Sequence, residues 1–166
     1  MYVTLIDISN ILEAICNAHA QVHSYYFDDI EDILEKKDIQ YTSVFAVPLS
    51  VIVEKSLTTF NIQLIVLDKI DKANERDMQI LEHCRRVMLD IIAELELKVK
   101  GISLRLDRSA ITFTDVKDKF NDDDIVGWIA NVAIYVPNEL EACGIPYVMP
   151  PGVVLQENNF PLLLEN

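Results

Sequence analysis

The sequence predicts an α+β domain: a mostly antiparallel sheet, one short and one long helix packed on one of its faces, and an extended C-terminal arm. Three observations predict it. Two segments carry apolar residues at helical spacing, near the N-terminus and in the middle of the chain. The strand-like segments follow one another in runs instead of alternating with helices. The last 23 residues, 144–166, hold four of the six prolines and are apolar.

The first helix is expected from about Asp7 to His19, where Ile8, Ile11, Leu12, Ile15, Cys16 and His19 fall on one stripe and Asp7 or Ser9 caps the first turn. "VHSYYF" (22–27) is aromatic and β-prone and reads as a strand. The acidic stretch 28–40 fits a short helix, with Ile30, Ile33 and Leu34 on one side, and fits an irregular excursion equally well. "YTSVFAVPLSVIVE" is a strand broken or edged at Pro48, which cannot donate to a ladder. In "FNIQLIVLD" one face carries Phe60, Ile62, Leu64 and Val66. The other begins with Asn61 and Gln63 but continues with Ile65 and Leu67, so this strand becomes buried on both sides towards its end.

The long helix is expected from Asp71 or Lys72 to about Leu97, roughly 40 Å at 1.5 Å per residue, with Leu81, Cys84, Met88, Ile91, Ile92 and Leu95 inward and Gly101 ending it. "ISLRL" (102–106) and "SAITFTDV" (109–116) suggest a hairpin around Asp107 and Arg108. "IVGWIANVAIYVP" (125–137) is a strand with Val126, Trp128, Ala130, Val132, Ile134 and Val136 on one face and the more polar Gly127, Asn131 and Tyr135 on the other. The chain divides into a domain, 1–143, and an arm, 144–166. Proline excludes the arm from helix interiors and central strands. Its apolar residues are expected to dock on this domain or a neighbour, with Tyr147, Val148, Val153, Val154, Leu155, Phe160, Leu162 and Leu163 as the candidate oligomer interface.

Charge narrows the function. The net charge is −13, the wrong sign for neutralising phosphates or for binding an anionic membrane surface. A negative wall would instead let nucleic acid pass without sticking. The mean hydropathy is nevertheless +0.19, so some apolar surface is expected at subunit contacts. Cys16, Cys84 and Cys143 are far apart, odd in number and outside any CxxC, as for buried thiols in a reducing compartment. "MYVTLIDISN" has no basic leader region, and no apolar run reaches the ~18 residues of a membrane span.

A search for chemistry finds no complete constellation. His83 and Cys84 are adjacent on a helix and so do not face each other. His19 and His23 have ligand spacing but straddle the end of a helix and lack a third ligand. "NDDDIVG" (121–127) lacks the acid spacing, central glycine and late glutamate of a calcium loop. Asp68, at a strand end, suits a turn or cap. With four glycines there is no phosphate-cradling loop. No catalytic, cofactor or metal site is expected.

The succession "SNILEAICNAH", an aromatic strand, an acidic stretch, "YTSVFAVP", "FNIQLIVLDKIDKANERDMQILEHCRRVMLDIIAEL" and "FTDVKDKFNDDDIVGWIANVAIYVPNELEACGIP" resembles small virion proteins of phages that infect Bacteroidetes, crAss-like phages among them, which act as tail terminators or tail-completion proteins of the neck. The resemblance spans roughly residues 8–146 and rests on packing signatures, with Thr42 standing where the pattern carries a proline. It implies a structural, non-enzymatic subunit of a homo-oligomeric ring, often six or twelve copies, between the portal and the tail. Its partners would be neck, portal and tail proteins, with DNA passing through the lumen unbound. It would reside in the virion, and in the host cytoplasm before assembly. Two other classes fit parts of the sequence: an acidic inhibitor or immunity-type module that covers a basic active site, and a small hydrolase or nuclease built on Asp68 or Asp122.

Overall fold

The computed structural model of the chain describes residues 3–29, 39–54, 56–70, 77–101, 105–107, 111–120 and 123–137, with the backbone pairs 154–155 and 161–162. The fold is α+β. Helix α1 (Leu5–Ala18) leads to strand β1 (Ser24–Phe27), β2 (Ser43–Val53) and β3 (Leu57–Lys69). The long helix α2 (Asp77–Gly101) follows, then β4 (Arg105–Leu106), β5 (Phe113–Phe120) and β6 (Asp123–Pro137). Two short strands, β7 (Val154–Leu155) and β8 (Pro161–Leu162), lie in the arm.

The main sheet has the order β1-β2-β3-β6, with β4 and β5 both on the outer side of β6. Only β1 and β2 are parallel; the other pairings are antiparallel. A parallel pair needs a connection that returns to the starting end of the sheet. The acidic stretch between β1 and β2 provides it, and its residues 30–38, with the two readings given them above, lie outside the described residues. So do residues 71–76, where the long helix was expected to begin.

Both helices pack on one face. Ile8, Leu12, Ile15 and Cys16 of α1 and Cys84, Val87, Met88, Ile91, Ile92, Leu95 and Val99 of α2 meet Val44, Ala46, Phe60, Ile62, Leu64, Val66, Ala130, Val132, Ile134 and Val136 of the sheet in one cluster. The far face holds a smaller cluster of Phe45, Val47, Ile65, Leu67 and Ile125. Tyr26 stacks there on Phe45 at 5.3 Å. The end of β3 is therefore buried on both sides, as its pattern of residues suggested.

The start of α1 differs from expectation. Thr4 is the cap: its hydroxyl accepts the Asp7 N–H at 3.2 Å, and the Asp7 carboxylate accepts the Thr4 N–H at 2.7 Å. These reciprocal bonds satisfy two orphan backbone groups and lower the Asp7 pKa, the bond to the Thr4 backbone contributing most. Pro48 does not break β2. Pairing with β1 stops at Ala46, and a bulge falls between Pro48 and Ser50, so the proline sits on an edge where its missing N–H is harmless.

The expected hairpin of 102–106 with 109–116 does not form. β4 and β5 both run antiparallel to β6, hence parallel to each other, and lie end to end along it. The reason is length. β6 spans 15 residues and offers an edge longer than either partner, while Leu106, Ile111 and Phe113 all reach the helix-side cluster from there. The close hairpin is β5–β6, with Phe120 opposite Asp123.

Trp128 ties the layers together. Its Nε1–H donates to the Leu81 carbonyl of α2 at 2.8 Å, and its ring meets Phe113 edge-on. Its neighbour Gly127 is fixed by space: a Cβ there would lie 1.9 Å from the Val66 carbonyl oxygen and 2.9 Å from Leu67 Cδ2. Backbone cannot yield as a side-chain tip can. Gly127→Ala is expected to cost about 1–3 kcal/mol as a lowered urea midpoint, whereas Thr114→Ala, exposed on β5, should stay within about 0.5 kcal/mol.

Candidate functional site

At one end of the sheet, polar side chains from four elements meet around Thr42, which is 3% exposed. Its hydroxyl donates to Asp68 Oδ2 at 2.8 Å and lies 3.3 Å from His83 Nε2. Its N–H donates to His23 Nδ1 at 2.9 Å, and its carbonyl accepts the His23 N–H at 2.9 Å. The hydroxyls of Ser24 and Ser43 both donate to the Gln40 carbonyl, at 2.7 and 2.9 Å. The other Asp68 oxygen accepts the Lys69 N–H at 2.7 Å. This network joins β1, β2, β3 and α2 where a parallel pair starts and ladder bonds run out.

Threonine, histidine and aspartate in contact invite a catalytic reading, but the connectivity is that of a structural bolt. A nucleophile needs its proton aimed at the imidazole and the carboxylate behind the ring. Here the carboxylate itself accepts the hydroxyl's hydrogen bond. Asp68, expected at a turn or cap, is thus an acceptor for Thr42.

The remaining candidates go separate ways. His19 caps α1, and its Nε2 lies 3.5 Å from Asp90 of α2, while His23 serves Thr42, so the two do not converge. Among the described residues no group of three His, Cys, Asp or Glu is placed to hold a metal. Asp122 lies outside the described residues. Cys16 and Cys84 are buried, and burial pushes both thiols up to about 12, the Asp68 charge adding to the effect at Cys84. The Cys84 thiol donates to the Val126 carbonyl at 3.8 Å.

Five of the described cations sit against carboxylates: Lys69 on Asp123, Lys117 on Asp77, Lys119 near Asp124, and Arg85 and Arg86 on Glu82. The Arg85 fork, with help from Arg86, holds Glu82 down to about 2. Basic side chains engaged in this way are poorly placed to grip phosphate.

The apolar surface is concentrated elsewhere. In the far half of β2, Leu49, Val51, Ile52 and Val53 are 50%, 49%, 50% and 62% exposed, and no described strand covers their outer edge. No protein-family model matches this chain, and no curated protein matches it in sequence.

The arm residues named from the sequence are only partly placed. Val154 and Leu155 lie in β7 and Leu162 in β8, which pair with each other; Tyr147, Val148, Val153, Phe160 and Leu163 lie outside the described residues. The exposed end of β2 was missed. The signal was present in "VPLSVIV" (47–53), an uncharged strand holding a proline, which marks an edge with nothing polar to protect it.

Two outcomes check this description. Thr42→Val should cost about 1–3 kcal/mol by leaving Asp68 Oδ2 unpaired, and more than Thr42→Ser, which loses one methyl worth about 0.8 kcal/mol. That order, although valine fills the volume better, isolates the hydroxyl. At pH 8, iodoacetamide should leave Cys16 and Cys84 unmodified in the folded chain and modify both in urea, as located by mass spectrometry.

Proposed function

We propose that this chain is a structural virion subunit, copies of which join into a ring in the neck or tail of a phage, between portal or connector and tail, with DNA passing through. The observation that carries the reading is the exposed, uncharged end of β2 on a body of net charge −13. Identical acidic copies repel each other and need a neutral apolar surface to associate. The resemblance of residues 8–146 to tail-terminator and tail-completion proteins supplies the setting: the virion, and host cytoplasm before assembly. A rigid sheet with two helices on one face suits a ring subunit, because its shape must survive the passage of DNA. An acidic lumen would keep the phosphates moving. An acidic inhibitor would share the charge but has no use for a bare apolar strand.

The arm from Gly144 onward then acts as a latch, since linkage to an assembling ring raises its effective concentration. Sedimentation of the purified chain should give large assemblies, and removal of residues 147–166 should reduce them while leaving the circular dichroism and urea midpoint of the domain nearly unchanged. A chain that stays monomeric and is absent from purified particles would overturn the proposal.

A further inference from the structure

We infer that the β7–β8 hairpin of a second copy adds to the free edge of β2 over Leu49–Val53, extending the main sheet across the subunit boundary; this rests on the ring assembly proposed above. β1 covers β2 only from Ser43 to Ala46. Past the bulge, Ser50–Val53 pair with Asn61–Thr58 on the inner side alone. Their outer backbone groups face away from the sheet, flanked by side chains that are half exposed on both faces. Such an edge accepts an extended segment through main-chain hydrogen bonds, with alternate side chains adding apolar contact.

The occupant is indicated by three observations. Residues 47–53 contain no charged side chain, and the span 154–162 holds a single one, Glu157, between its two strands, in a chain of net charge −13, so these are segments that two copies can bring together with little repulsion. Among the described residues Val154–Leu155 and Pro161–Leu162 pair with each other alone, as a two-stranded sheet apart from the main one, and two strands alone are marginal in water until a third strand or an apolar surface joins them. The chain also leaves the sheet at the right end: Pro137 lies opposite Leu57, beside the β2–β3 turn. The 16 residues from 138 to 153 reach up to about 55 Å when extended, enough to cross to a neighbour. Within one chain the hairpin and the edge belong to separate sheets and the edge stays exposed, so the partner is another copy. Each subunit then gives one hairpin and receives one, a head-to-tail contact of the kind that closes a ring.

The test uses two full-length chains, each with Cys143→Ser, one carrying Val51→Cys and the other Val154→Cys. They are mixed and mildly oxidised at a concentration where the wild-type chain sediments as a multimer. The expected result is a several-fold excess of the disulfide between the two different chains over either like-with-like product, since the bond needs Cα atoms within about 7 Å. Val51→Lys in the full chain should also shift the multimer towards monomer with unchanged circular dichroism. Three results would overturn the inference while the ring reading stands, the multimer persisting: predominant Val51→Cys homodimers, meaning two edges pair directly; a disulfide within one chain carrying both substitutions; or no disulfide at all. A wild-type chain that stays monomeric up to its solubility limit, with no mixed disulfide, would overturn the inference, and the ring reading with it if the chain is also absent from purified particles.

Discussion

β3 and β6 pair in antiparallel register from Leu57 opposite Pro137 to Lys69 opposite Ile125, and both helices and the other strands of the main sheet take their positions from that ladder. Its helix side presents Phe60, Ile62, Leu64 and Val66 beside Ala130, Val132 and Ile134, a continuous apolar floor on which α1 and α2 lie. Gly127 lets the two backbones approach at Val66. Trp128, next along β6, reaches up to the α2 backbone at Leu81. One outer side of the ladder is left for β2, the other for β4 and β5. Loosening it would therefore release both helices and both edges together.

The second fixed point is polar. Thr42, Asp68, His83 and His23 close the end of the sheet where the connection from β1 enters β2. Apolar alternation fixes which face of a strand is buried, and directed hydrogen bonds add a fixed position along it. The molecule thus holds one end of its sheet by specific polar contacts, while at the other end β2 runs out bare. This division places rigidity where the elements meet and leaves adhesive surface where a neighbour is proposed to bind.

Much of the architecture was legible from periodicity. The α1 and α2 stripes, the double burial of Ile65 and Leu67, and the inward face of β6 all followed from spacing, because burial against a large core imposes a repeat on the sequence. What failed to show depends in part on distant partners. Thr4 was overlooked as the cap in favour of Asp7 or Ser9, although Thr4 and Asp7 have the spacing of a capping box. β4 and β5 looked like a hairpin because they are adjacent in sequence, yet the long edge of β6 competes better for both. Val87 and Val99 were overlooked beside more obvious leucines and isoleucines. The candidate site was least legible of all. Attention went to the arm for its prolines, whereas the uncharged run around Pro48, which marks β2 as an edge, was not followed to its exposed end.

The bulge after Pro48 acts as a phase shifter. Before it, the even-numbered residues Val44, Ala46 and Pro48 share the side of Leu64 and Ile62; after it, Val51 lies opposite Phe60 and Val53 opposite Thr58, so odd-numbered residues take over that side. Ser50 is thereby turned to the reverse side, where its hydroxyl accepts the Asn61 amide at 3.0 Å. Leu49 is the odd residue in the count. Were it paired with Asn61 instead of bulged out, Ser50 would fall opposite Phe60 and Val51 opposite Thr59, and the strip would show its serine where it now shows valines.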